Sequence, residues 1–178
     1  MTDDPTGYAL PVGSYEDARA MVGQPADVRF GHVDVNEAMV RAFCALVRDP
    51  NPSYWDRDYA RAHWGGLPAP PAMLMTWVMP MEWQPGAPAP TPLLMARVPL
   101  PGDTIVNVSN DTEHLRPVLE GDRLSVTEEL TDVSPQKQTS LGRGHFVTTA
   151  TTYRRQDGEV VARMTNVLFR FTAREPSS

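Results

Sequence analysis

Asp49, Asn51 and Tyr54 stand together in one short stretch, Asp49-Pro50-Asn51-Pro52-Ser53-Tyr54-Trp55-Asp56. A carboxylate that can orient or deprotonate water, beside a phenol that can donate a hydrogen bond, is a minimal set for acid–base chemistry on water. The two prolines that bracket Asn51 make the stretch a rigid corner, because each ring fixes its own φ and restricts the residue before it. Asp49 is then held at a helix end and Tyr54 just past the turn. The plainer interpretation of Asp49 is a polar helix end turning into a loop.

The other reactive side chains offer less. Cys44, the single cysteine, lies between Phe43 and Ala45 on a helical run and reads as a small buried hydrophobe, not a nucleophile. His32, His63, His114 and His145 are scattered, without the spacing to one another or to carboxylates that a metal site needs, so no metal is expected. They read as surface or satisfied strand residues. His145 follows the glycine-flanked stretch Leu141-Gly142-Arg143-Gly144 and is kept as a candidate substrate contact. Gly142-x-Gly144 by itself is a turn or bulge, since no strand-to-helix context follows it. Met73, Leu74, Met75, Trp77, Val78, Met79, Met81 and Trp83 form a run of adaptable and broad apolar side chains. Such a run suits a wall against a bulky acyl group, with Met73 and Trp77 as its candidate contacts, and suits core and subunit interface better.

Several elements must position these residues. Residues 1–13 carry Pro5, Gly7, Pro11 and Gly13 and read as a flexible arm. Ser14 and Asp17 form a capping-box pattern for a short helix that Gly23 stops. Val28 to Val33 read as a strand. Asp34 and Glu37 form the next cap pair, and Ala38, Met39, Ala42, Phe43, Leu46 and Val47 recur with helical period. That helix is apolar enough to be buried against a sheet. Further helical stretches are expected over 56–64 and from Pro70-Pro71 through Val78. Gln84 to Pro92 is a proline-dense loop. From Ile105 the period changes to two, with strands expected over 104–108, 112–118, 123–133, 144–155 and 159–171. Gly121-Asp122 and Asp157-Gly158 mark turns between them. Helices followed by antiparallel strands make an α+β fold.

With 178 residues, 41% of them hydrophobic and 21% charged, the chain reads as one globular domain over 1–178. A net charge of −6 argues against nucleic acid as a partner. The longest apolar stretch is too short to span a bilayer. No signal segment is evident and no disulfide is available, so a cytoplasmic location is the default expectation.

The corner and its downstream segments resemble a family. Asp49-x-Asn51-Pro52-x-Tyr54 is similar to the Gly-Asp-x-Asn-Pro-Leu-His signature of MaoC-like, (R)-specific enoyl-CoA hydratases and dehydratases. Pro71-Ala72-Met73-Leu74 aligns with their His-Gly-Met-Leu. Asn51 to Asp56, Tyr59-Ala60-Arg61, Gly65-Gly66-Leu67 and Ala69-Pro70-Pro71 resemble the subgroup of type I fatty-acid-synthase-like dehydratase N-terminal domains. Arg116-Pro117 with Gly121-Asp122-Arg123-Leu124 resembles the family's strand-turn-strand. Leu141 to Phe146 resembles the larger subunit of actinobacterial steroid side-chain enoyl-CoA hydratases. The likeness covers roughly residues 14–171.

The resemblance implies a single hot-dog fold, with a long central helix wrapped by a curved antiparallel sheet and paired with a second hot-dog through sheet edges. It implies an acyl-CoA or acyl-carrier thioester as substrate and no separate cofactor. By family position Asp49 is the carboxylate, and the Ala72 backbone N–H is the donor to the thioester carbonyl. Asn51 is a substrate-side residue. Tyr54 departs from the pattern, standing where the family has its histidine. A phenol titrating near 10 is a poor proton shuttle compared with imidazole near 6.5. The expectation is therefore a non-catalytic or weakly catalytic subunit of a heteromeric enoyl-CoA hydratase, whose partner carries an intact Asp/His pair. A self-sufficient homodimer using Asp49 and Tyr54, and an acyl-thioester-binding scaffold without turnover, stand as alternatives.

Overall fold

The structure, a computed structural model, describes residues 10–24, 26, 28–81, 83–86 and 90–173. The elements in chain order are α1 (Tyr15–Ala20), β1 (Arg29–Phe30), α2 (Glu37–Val47), α3 (Pro52–Trp55), α4 (Arg57–Trp64), a 3-10 helix (Pro71–Trp77), α5 (Leu94–Arg97), β2 (Thr104–His114), β3 (Ser125–Val133), β4 (Lys137–Gln138), β5 (Gly142–Arg154) and β6 (Val160–Ala173). Every strand pairing is antiparallel, in the order β1-β3-β5-β6-β2, with the short β4 on β5. The hot-dog class expected from the sequence is the one observed, with a different internal helix.

Two apolar clusters fill the space beside the sheet. The larger brings Val40 and Cys44 of α2, Tyr54, and Met73, Leu74 and Trp77 of the 3-10 helix onto Val126, Tyr153, Ala162 and Met164. The smaller packs Ala18 of α1 and Leu94 of α5 on Leu130, Val133 and Val147. The element beneath the sheet is thus a seven-residue 3-10 helix, and not a long α-helix. Pro70 and Pro71 pre-set its entry, and Gly31 lies so close to the Trp77 carbonyl that a Cβ there would sit 2.0 Å away.

The α1 capping box forms as expected, with Asp17 N–H donating to Ser14 Oγ at 3.1 Å and Ser14 N–H to Asp17 Oδ2 at 2.9 Å. At α2 the cap is Asn36, whose Oδ1 accepts from Met39 N–H at 3.0 Å. Asp34 instead pairs with Arg123 at 2.9 Å, and Glu37 pairs with Arg41 and Arg57. Nor is α2 buried under the sheet. It packs along α3, sinks Val40 and Cys44, and leaves Leu46 82% exposed. Arg48, in the left-handed region at φ 56°, turns the chain away directly after it.

The strands expected over 104–108 and 112–118 are one continuous β2 up to His114, with a register shift between Asn107 and Ser109. Residues 115–118 leave the strand, and Leu115 and Arg116 both donate to Val161 O. The strand expected over 28–33 forms ladder pairs only at Arg29 and Phe30. Of the expected arm, residues 1–9 lie outside the described residues, as do Pro25 and residues 87–89 of the proline-dense loop. Residues 10–13 are docked. Buried Arg170 donates to Pro11 O, Val98 O and Gly102 O at 2.8, 2.8 and 3.0 Å. Leu100 N–H also donates to Pro11 O, at 3.3 Å.

Candidate functional site

The corner folds as its prolines demand. Asp49 Oδ1 accepts from Asn51 N–H at 2.9 Å, and Asn51 Oδ1 accepts in turn from Ser53 N–H at 3.0 Å, capping α3. Pro52 occupies the first turn of α3, where its missing N–H costs nothing. The Asp49 carbonyl accepts from Trp55 Nε1 at 2.7 Å. Asp56 caps α4 by accepting from Asp58 and Tyr59 N–H. Trp64, at the far end of α4, donates its Nε1–H to Ser53 Oγ at 2.9 Å and so staples α4 to α3.

These contacts build one wall of a cavity of about 350 Å³. Its lining includes Asn51, Tyr54, Trp64, Leu74, Trp77 and His114. Prolines and aliphatic residues make up most of the rest, the character of sites for apolar ligands. A second cavity of about 230 Å³ is lined by Ala72, Met75, Asn110, Thr112, His114 and Met164. The two share Pro71, Leu74 and His114.

The structure therefore brings Asn51, Tyr54 and Trp77 to a single cavity, with Ala72 on the adjoining one. Asp49 is half-buried behind that wall, its Oδ1 engaged by the turn, and is not among the lining residues. Met73 is buried in the core beneath. His145 lies elsewhere. It is buried on β5, its ring stacks on Tyr15 with centroids 5.5 Å apart, and its Nδ1–H donates to Ser134 O at 2.9 Å. Because a carbonyl only accepts, that bond fixes the tautomer. His145 is held at Nδ1 and borders a separate cavity with Gln138, Arg143 and Gly144, apart from the one that Asn51, Tyr54 and Trp77 line.

Burial holds the Tyr54 phenol above its ordinary range, and the neighbouring Asp49 carboxylate and Cys44 push the same way. Tyr54 is thus a neutral phenol at physiological pH. Cys44 is likewise raised, by burial and then by Asp49, which makes it an inert thiol. Met73 N–H donates to Pro70 O at 2.9 Å, while the Ala72 N–H, one residue nearer the start of the 3-10 helix, has no acceptor among the described residues. First-turn amides are left unpaired in this way by helix geometry. Among the described residues no group of three or more His, Cys, Asp or Glu is arranged to hold a metal ion, and no helix is long and apolar enough to cross a membrane.

Sequence reasoning passed over His114. Splitting β2 into two strands hides the fact that Asn110, Thr112 and His114 are alternate residues of one strand, and alternate residues share a face. Read as one strand, the three positions point to the same side as Met164 of the neighbouring β6.

An antiparallel hot-dog sheet, a Pro-bracketed acidic corner and an apolar cavity at a helix start together define a hot-dog protein of the dehydratase kind. The family model described as the FAS1-like dehydratase domain region matches residues 20–164, and the chain belongs to that family. A probable enoyl-CoA hydratase alpha subunit from Thermomonospora curvata is 35% identical over 156 residues, which are 84% of this chain and 48% of that protein. The 3-oxo-4,17-pregnadiene-20-carboxyl-CoA hydratase alpha subunit of Mycobacterium tuberculosis is 31% identical over 90% of this chain and 53% of its own length. The chain spans about half the length of these curated relatives. Among solved structures, the ChsH1-ChsH2 complex from Mycobacterium tuberculosis superposes with a TM-score of 0.73 at 26% identity, covering 89% of this chain and 95% of the matched one. The R-hydratase PhaJ1 from Pseudomonas aeruginosa, at 23% identity and a TM-score of 0.57, shares the fold.

Proposed function

We propose that this chain is the acyl-thioester-binding hot-dog subunit of a heteromeric enoyl-CoA hydratase, and that a partner hot-dog carries the intact Asp/His pair. One observation carries the reading. Tyr54, in the family's histidine position, is a buried phenol held neutral, and Asp49 Oδ1 is engaged by Asn51 N–H. General acid–base catalysis contributes about two to four orders of magnitude, so a site lacking its proton shuttle is feeble alone. The names of the two relatives, both alpha subunits of hydratases, support the heteromeric assignment.

In this reading the acyl group enters the cavity beside Trp77, and the Ala72 amide donates to the thioester carbonyl as charge develops on it. Asn51 shapes the rim, and Met73 supports the wall from beneath. A short 3-10 helix in place of a long α-helix leaves room for a bulky, steroid-like acyl group. Water adds across the double bond, oxygen to C3 and hydrogen to C2, with proton transfers by the partner's pair. The chain needs no cofactor beyond the coenzyme A of its substrate.

Hydration of a 2-enoyl-CoA by the purified chain should be negligible and should appear when the co-purifying subunit is added. Rapid turnover by the lone chain would overturn the assignment. A self-sufficient mechanism draws on one observation, the electrostatic coupling of Asp49 to Tyr54. It requires Tyr54→Phe and Asp49→Asn each to abolish whatever turnover the lone chain shows. If a co-purified complex neither hydrates nor gains from this chain, the scaffold alternative stands instead.

A further inference from the structure

The two cavities share Pro71, Leu74 and His114, and of these only His114 has a polar side chain. It ends β2, paired with Ala162 of β6, whose lone Cβ leaves the imidazole room. Thr112 and Asn110 precede it on the same face, opposite Met164 and Asn166. His114 is exposed, and among the described residues nothing hydrogen-bonds to its ring.

The other polar groups of the first cavity are largely engaged. Asn51 Oδ1 holds Ser53 N–H, and Ser53 Oγ holds the Trp64 indole. Arg116 is turned onto Glu159 at 3.1 Å and its own neighbour's carbonyl, Leu115 O, at 2.7 Å. Tyr54, the Asn51 Nδ2, the Trp77 indole N–H, which is buried without a partner, and His114 are left. Of these, His114 alone also lines the second cavity, and its ring carries two nitrogens that can hydrogen-bond.

An acyl thioester has the matching division. Its acyl group is apolar, while its thioester carbonyl and the amides beyond it need hydrogen-bond partners. The first cavity offers mostly apolar wall, and the second offers Asn110 and Thr112 in a row. We propose that His114 is a substrate-positioning residue, hydrogen-bonding the polar neck of the bound thioester where the two cavities join. The acyl group then fills the first cavity, and the arm of the thioester crosses the second over Thr112 and Asn110. This rests on the acyl-thioester reading above.

The test uses the chain with its co-purified subunit and crotonyl-CoA, whose neck is common to all CoA thioesters. His114→Phe keeps a flat ring without hydrogen bonds, and His114→Gln restores a donor and an acceptor. Losing one such bond weakens binding by about tenfold, the equivalent of about 1.4 kcal/mol. The Phe variant should raise Kd and KM by about that factor with kcat little changed, and the Gln variant should recover most of it. In histidine NMR spectra, the ring signal that vanishes in both variants should shift when crotonyl-CoA is added. Wild-type affinity in the Phe variant, or a His114 signal that ignores the ligand, overturns the role of His114 alone. Failure of the wild-type assembly to bind both crotonyl-CoA and a polycyclic 2-enoyl-CoA overturns the acyl-thioester reading, and this inference with it.

Discussion

Two buried tyrosines face the same cluster with different consequences. Tyr54 lines the cavity, whereas Tyr153 is sealed in the core, and its hydroxyl meets Met164 Sδ at 3.9 Å, a weak acceptor. Burial pushes the Tyr153 phenol up to about 12, the Glu128 carboxylate pushes the same way, and Arg29 opposes. The folded value lies above the unfolded one, so the folded state keeps a proton that the unfolded chain gives up. Its contribution is fully present below pH 10 and is lost as pH rises from there through about 12. The size is about 2 to 3 kcal/mol for a shift of that order. Tyr153→Phe should therefore leave stability at pH 7 within about 1 kcal/mol, since the weak bond to sulfur contributes little. It should also flatten the alkaline limb measured by urea unfolding from about pH 10, the ordinary phenol value, up to about 12. Part of that limb should persist, because Tyr54 is shifted in the same direction. An alkaline limb unchanged by the substitution would mean that Tyr153 is not sealed as described.

At the scale of elements, Arg170 ties the start of the described chain to the sheet. Arg170 is 1% exposed, and its guanidinium takes three backbone carbonyls as partners, from Pro11, Val98 and Gly102. Burial depresses its ionisation, with Asp103 opposing. Arg170→Met keeps the stem but strips the carbonyls of these donors, and each such loss costs about 1 kcal/mol or more. A net destabilisation of about 3 kcal/mol is expected by denaturant titration, with Arg170→Lys intermediate because one ammonium cannot span three directions. Loss of below about 0.5 kcal/mol in the Met variant, the range of ordinary surface substitutions, would show that these bonds do not anchor the segment. None of this could be read from sequence, because position 170 is simply one alternate residue of a long strand. Local signals served well where the chemistry is local: the Ser14–Asp17 box, the Pro-bracketed corner, the Asp157-Gly158 turn. They failed where a distant partner decides. Asp34 left its cap for Arg123, and α2 took its apolar count for burial while packing along α3. The candidate site divided in the same way. Asn51, Tyr54 and Trp77 line one cavity, His145 lies on another with its Nδ1 on Ser134, and His114 emerges only once β2 is one strand.

The sheet of the whole molecule has unequal edges. At one side β1 contributes two paired residues, whereas β2 runs for eleven residues at the other and bonds only to β6 among the described strands. Val106 and Val108 are exposed along it. A long edge with exposed β-branched residues invites pairing with another chain unless something covers it. On the proposed reading the cover is the second hot-dog, joined edge to edge, and β2 also carries His114 and the second cavity to that seam. Val108 stands at the register shift between Asn107 and Ser109, so a longer side chain there can be solvated without disturbing the pairing with β6. Val108→Lys should leave the chain folded, with a thermal midpoint within a few degrees, about what a change of under 1 kcal/mol produces in a domain of this size. Co-elution with the partner subunit should nevertheless be lost, because a desolvated ammonium facing a strand edge is a device against pairing. Hydration activity should fall in parallel, since the partner supplies the proton shuttle. A folded Val108→Lys chain that still assembles with full activity would place the seam elsewhere, and would separate the partner requirement from the β2 edge.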